Sequence, residues 1–228
     1  MDIDEILNNL IALSNSENIE GMAKFGINPE KVYGIKIPVL RKMAKKIGKN
    51  HALAHKLWSL GIRETMILAT MIEEPSLVTE EQIEEWVTSS DFNYWEIVDQ
   101  SCMNLFDKTS FAYDKCTKWT RREEEFIKRA GFALIARLAW RDEKADNSFF
   151  ESLLPIIERE STDDRNSVKK AVNWALRQIG KRNKHLNQEA ICVARRIEQL
   201  DSKTAKWVSK DALKELTSQK IQKRLKNH

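Results

Sequence analysis

Four prolines and seven glycines in 228 residues leave few places where this chain can turn sharply. A sheet protein needs a tight turn between most neighbouring strands, and Gly and Pro supply the backbone geometry of those turns. Helices joined by short connections need far fewer. The scarcity therefore predicts an all-α chain. Apolar spacing agrees from the start: Ile3, Ile6, Leu7, Leu10 and Leu13 fall at helical intervals, and no stretch reads as a strand.

Two short helices are expected in 1–25, then a loop over 26–36 with Pro29 and Gly34 as breakers. Pro38 opens a helix carrying Leu40, Met43 and Ile47, and Gly48 ends it. Helices are expected at 51–59 and 62–73, the second closed by Pro75. Thr79-Glu80-Glu81-Gln82 is a capping-box pattern ahead of the helix that holds Trp86. Further helices are expected at 92–106, 110–120, 124–141, 147–160, 165–180, 187–199 and 203–217, with Pro155 kinking or splitting its own.

So many helices invite a search for repeats. Segments beginning at Ile62, Trp95, Ile127 and Val168 line up, 33, 32 and 41 residues apart. Such periods suit stacked helical pairs in which each second helix lines one concave wall. The expectation is one repeat domain over 1–228: N-terminal helices to 50, stacked repeats over 51–217, and a basic tail over 218–228.

With 32% charged and 42% hydrophobic residues the chain is globular rather than disordered. Its first residues, Met1-Asp2-Ile3-Asp4-Glu5, are acidic and precede no long apolar run, so neither a secretory signal nor a membrane span is expected. Cys102, Cys116 and Cys192 are odd in number and far apart, which fits unpaired thiols in a reducing compartment. A cytoplasmic monomer is expected. Charge is uneven along the chain. From Arg165 onward 17 Lys and Arg stand against 5 Asp and Glu, a balance of +12; before it, 21 stand against 29, a balance of −8. A basic half suits a polyanionic partner. Lys220, Lys223, Arg224 and Lys226 also fit a solubilising tail.

Within Tyr94-Trp95-Glu96-Ile97-Val98-Asp99, Trp95 and Asp99 lie four residues apart and share a helix face. A ring face and a carboxylate side by side suit a cationic group, although a core tryptophan beside a surface aspartate gives the same pattern. Lys128, Arg129, Lys169, Lys170, Arg177, Lys181, Arg182 and Lys184 occupy two successive repeats and would form a phosphate-binding wall. His51 and His55 have the i, i+4 spacing of metal ligands, but Ala52 stands where a zinc protease has its glutamate, and no cysteine is near. No metal and no cofactor is expected. No glycine pattern suits a nucleotide loop. Trp58, Trp86, Trp119, Trp140 and Trp207 read as core or repeat-packing residues.

Taken in order, Met22 to Ile27, Tyr33-Gly34-Ile35-Lys36-Ile37-Pro38-Val39-Leu40-Arg41, Trp58 to Glu64, Trp95 to Asp99, Phe126-Ile127-Lys128-Arg129-Ala130 and Val168 to Arg177 resemble the bacterial AlkD-type DNA alkylation repair family. These are HEAT-like alkylpurine DNA glycosylases. The resemblance implies an all-α, HEAT-like repeat solenoid with a concave basic face that grips duplex DNA carrying alkylated bases. It implies a cleft lined by Trp95 and Asp99 and completed by Arg129 and Trp174. The family shows a tryptophan and paired arginines where this chain has Phe126-Ile127-Lys128-Arg129. It also implies that the base need not be flipped into a pocket. Two other readings stay open: a non-catalytic member that binds branched or distorted DNA, and a helical-repeat scaffold for a protein partner.

Overall fold

An apolar stripe on a helix needs a partner stripe, and short connections put the nearest one on the next helix. The computed structural model describes residues 1–226 and follows this logic throughout. Among the described residues it holds fourteen α-helices and no strand. No helix there is long and apolar enough to cross a membrane.

Two compact units are delimited at Ser110. The first contains α1 (Ile3–Ala12), α2 (Ser16–Ala23), α3 (Ile37–Ile47), α4 (His51–Trp58), α5 (Arg63–Ile72), α6 (Glu80–Thr88) and α7 (Trp95–Asn104). Here α3, α5 and α7 form a row, with α4 against α5 and α1 against α4. The second contains α8 (Ala112–Trp119), α9 (Glu125–Arg141), α10 (Asn147–Glu160), α11 (Asn166–Ile179), α12 (Lys184–Glu198), α13 (Lys203–Leu216) and α14 (Gln219–Lys226). There α9, α11 and α13 form the row; α8 lies against α9, and α10 and α12 cover α11 and α13. The sequence segments at Ile62, Trp95, Ile127 and Val168 thus open α5, α7, α9 and α11, members of these rows.

Local chemistry sets the ends. Asp2, Asn15, Asn50, Thr79, Asn183 and Ser202 cap their helices, each side chain accepting a backbone N–H of the first turn. Each cap contributes about 1 kcal/mol. Gly48 ends α3 at φ +78°, a left-handed value that an L side chain resists. Gly131 answers a different need. A Cβ there would stand 2.5 Å from the backbone nitrogen of Thr120, so α8 and α9 can approach closely only over glycine.

Some expectations shift. α7 begins at Trp95 rather than near Phe92, because the preceding residues spend their hydrogen bonds on turns: Phe92 N donates to Ser89 O at 2.9 Å, and Asn93 Nδ2 to Ser90 O at 2.7 Å. α12 begins at Lys184, where Asn183 accepts from Leu186 N at 2.9 Å. α10 runs through Pro155 without splitting. Burial of Phe150, Leu153, Leu154, Ile156 and Ile157 outweighs the proline's roughly 3 kcal/mol penalty. Residues 219–226 of the basic stretch form α14, with Ile221 and Leu225 buried.

Polar links join neighbouring helices within each unit. In the first unit, buried Arg63 of α5 donates to Glu96 of α7 at 2.6 and 2.8 Å, to Glu64 at 2.8 Å and to the Ile35 carbonyl at 2.9 Å. Glu64 in turn accepts the backbone N–H groups of Tyr33 and Ile35. One cluster therefore holds both the 26–36 loop and the first turn of α7. In the second unit α11 and α13 join by three rungs, each 38 residues apart. Lys169 lies over the Trp207 ring at 5.1 Å, Asn173 donates to Asp211 at 2.6 Å, and Arg177 donates to Glu215 at 2.6 Å.

Candidate functional site

The first turn of α7 is held from behind. Ile97, Val98, Ser101 and Cys102 are buried, and Glu96 is clamped by Arg63. Burial works against the Arg63 charge, but the Glu96 hydrogen bonds and the charges of Glu96 and Glu64 outweigh it, so its pKa lies above the ordinary value. Beside them Trp95 is 42% exposed and Asp99, one turn on, is half-buried. An anchored helix thus presents an aromatic face and a carboxyl group side by side. Such a pair can hold a cation by ring and by charge.

In the second unit Arg129 is buried on α9 and donates to the Ser167 carbonyl at 2.6 Å. Trp174 is half-buried on α11. The Gln178 amide, turned so that its oxygen meets donors, accepts from Trp174 Nε1 at 3.1 Å and from Lys181 Nζ at 3.3 Å. That fixes the edge of the indole.

The basic residues divide into two groups. Lys128 is buried, its ammonium 2.9 Å from Glu160 and 3.8 Å from Asp163. Arg177 and Lys181 share Glu215, at 2.6 and 2.8 Å. Arg182 spans the carbonyls of Ala139 and Ala145 and lies over the Phe150 ring. These four charges are spent within the fold. Lys170 and Lys184 are exposed, and Lys169 rests on Trp207. Exposed Lys203, Lys206, Lys210 and Lys214 follow along α13.

The tryptophans divide as well. Trp58, Trp86 and Trp119 are core residues, and the first two stack at 4.1 Å. Trp140 and Trp207, expected to be packed, are 64% and 41% exposed. Arg137 lies over Trp140 at 4.7 Å. Trp207 is a surface aromatic on a lysine-rich helix, which the sequence reading passed over. Its signal lay in the 38-residue offset from Lys169.

Known proteins place the chain. A solved structure, described as a new family of proteins related to the HEAT-like repeat DNA glycosylases with affinity for branched DNA structures, superposes with a TM-score of 0.79. It is 20% identical, and the match covers 92% of this chain and 94% of that one. The likeness carries the fold, an all-helical HEAT-like repeat. Uncharacterized protein Lin0241 of Listeria innocua serovar 6a is 28% identical over 137 residues, which span 58% of this chain and 60% of that relative. A family model described as DNA alkylation repair enzyme matches residues 6–216, and the chain belongs to that family.

Proposed function

We propose that the protein is a monomeric DNA glycosylase that hydrolyses the N-glycosidic bond of positively charged alkylpurines in duplex DNA. The observation that carries the reading is the outward pair on α7, exposed Trp95 and half-buried Asp99, in a chain of this family. A purine alkylated at N3 or N7 is already cationic. When its bond to C1′ breaks, the electron pair goes to the base, which leaves neutral. No strong general acid is needed, and neither is a metal or cofactor. The sugar is left with oxocarbenium character, which the Asp99 carboxylate stabilises. The same carboxylate orients a water, whose oxygen bonds to C1′ and whose proton is released. Trp95 holds the cationic base or sugar against its face. In the second unit Trp174 offers its indole for stacking on the DNA, while Arg129, buried on the Ser167 carbonyl, ties α9 to α11. Lys169, Lys170, Lys184 and Trp207 contact the DNA backbone.

The test is release of 3-methyladenine and 7-methylguanine from methylated duplex DNA, wild type against Asp99→Asn. The amide keeps the shape and removes the charge. Release falls at least about tenfold, or roughly 1.4 kcal/mol of barrier. DNA affinity is unchanged or higher, because a negative charge has gone. Equal release by both proteins makes Asp99 a bystander.

A second reading has its own support in the description of the similar solved structure as related to glycosylases with affinity for branched DNA. In that reading the chain binds branched DNA without cleaving a bond. A wild type that releases no base, yet binds a four-way junction more tightly than a linear duplex, selects it.

A further inference from the structure

His51 and His55 lie one turn apart at the start of α4, and the ligand missing from their sequence neighbourhood comes from elsewhere in the first unit. Asn50 N donates to the Ile72 carbonyl at 2.8 Å, which sets the start of α4 beside the end of α5. Lys49 Nζ reaches the Glu73 carbonyl at 2.7 Å and that of Met71 at 3.3 Å, fastening the same corner. Glu73, the C-cap of α5, is thereby brought to the histidines with its carboxylate fully buried. Its Oε1 lies 2.7 Å from His51 Nδ1, and its Oε2 accepts from Gln82 Nε2 at 2.8 Å. The His55 ring meets the His51 ring edge-on with centroids 4.7 Å apart and lies edge-on to Trp86 at 5.9 Å. One ligand atom from each of His51, His55 and Glu73 falls within 4.8 Å of the other two.

We infer that His51, His55 and Glu73 form a Zn²⁺ site that clasps α4 to the end of α5. Two imidazole nitrogens and one carboxylate oxygen are a zinc donor set, and three protein ligands leave a position for water. Bonds of about 2.0 Å to a tetrahedral ion bring the ligand atoms to about 3.3 Å from one another. The half-exposed histidine rings reach that spacing by small rotations, while Glu73 stays fixed by Gln82. Gln82 is the outer partner that orients a ligating carboxylate. The site shares no residue with the proposed DNA chemistry, and its role is to brace the helix pair.

Zinc titration of the intact chain tests this, by calorimetry and by the visible absorption of Co²⁺ added in its place. His55→Gln is the informative variant, because His55 has no part in the His51–Glu73 hydrogen bond. His185→Gln is the control, since His185 pairs with Glu151 at 2.6 Å and offers a rival imidazole and carboxylate. Wild type takes up one Zn²⁺ per chain, shows the absorption of four- or five-coordinate Co²⁺, and melts at a higher temperature with zinc than without. His55→Gln weakens zinc binding by at least about tenfold and abolishes both the cobalt signal and the melting shift. His185→Gln behaves as wild type. Uptake of less than one ion per chain, or a His55→Gln variant that binds zinc and shifts its melting as wild type does, overturns the assignment.

Discussion

Lys128 and Lys170 carry the same charge, and both lie on helices of the α9–α11–α13 row. The first is buried on Glu160 and Asp163, whereas the second is exposed. Their substitutions should therefore separate cleanly. Lys128→Ala removes the buried cation from Glu160, which keeps Arg159 at 2.7 Å, and lowers stability by about 2 kcal/mol, with the salt dependence of DNA binding unchanged. Lys170→Ala, combined with Lys184→Ala, leaves melting within about 0.5 kcal/mol of wild type. It lowers the log–log salt slope by about 0.9 for each phosphate no longer neutralised. Thermal unfolding and DNA titrations at several salt concentrations check both. The contrast also marks what the sequence could reveal about the site. Trp95 and Asp99 were legible as a pair because four residues on a helix dictate a shared face. The fate of Lys128 was not, because its partner Glu160 lies 32 residues away and enters only when α9 and α10 are placed in space. Glu73 escaped notice beside His51 for the same reason, at a distance of 22 residues.

Among elements, α7 is joined to α5 by a buried ion pair. Arg63 is 2% exposed, and Glu96 is its principal counter-charge outside α5. Glu96→Gln leaves the guanidinium short of charge in the interior and should lower stability by about 3 kcal/mol. Because Glu96 is in the first turn of α7, base release should fall as well, through a displaced Trp95; urea unfolding and the release assay read the two effects. The α11–α13 contact responds instead to acid. Burial alone would raise the pKa of Glu215, but hydrogen bonds from Lys181 and Arg177 outweigh it and hold the carboxyl below its ordinary value. A depressed carboxylate contributes stability above its unfolded pKa, about 4.3, and loses that contribution as pH falls through the lower folded value. Glu215→Gln should therefore be less stable than wild type at neutral pH. The gap should narrow below about pH 4.3 and close once wild-type Glu215 is protonated. Melting temperatures measured across that range decide it.

Across the whole molecule, the helical class was the most legible property, because few breakers and regular apolar spacing act over the entire chain. Repeat register was less so. The expected period of 33 residues is kept by Arg63 and Glu96 across α5 and α7, whereas Arg129 of α9 meets Ser167 of α11 at 38 residues rather than 41, the stride that the rungs between α11 and α13 also keep. Apolar residues are interchangeable in an alignment, and only paired polar atoms reveal which residue faces which. In the same alignment Gly131 takes the place of Asp99, yet its neighbour is Thr120, the C-cap of α8. α14 escaped because two apolar residues, Ile221 and Leu225, are too few for a period to stand out among lysines. The short stride of the rungs also bears on how the protein is made. A rung between Asn173 and Asp211 can close once 38 further residues have been added. At about 5–20 residues per second that takes roughly two to eight seconds. The apolar face that α11 turns to α13 therefore stays uncovered for seconds rather than for the whole of translation.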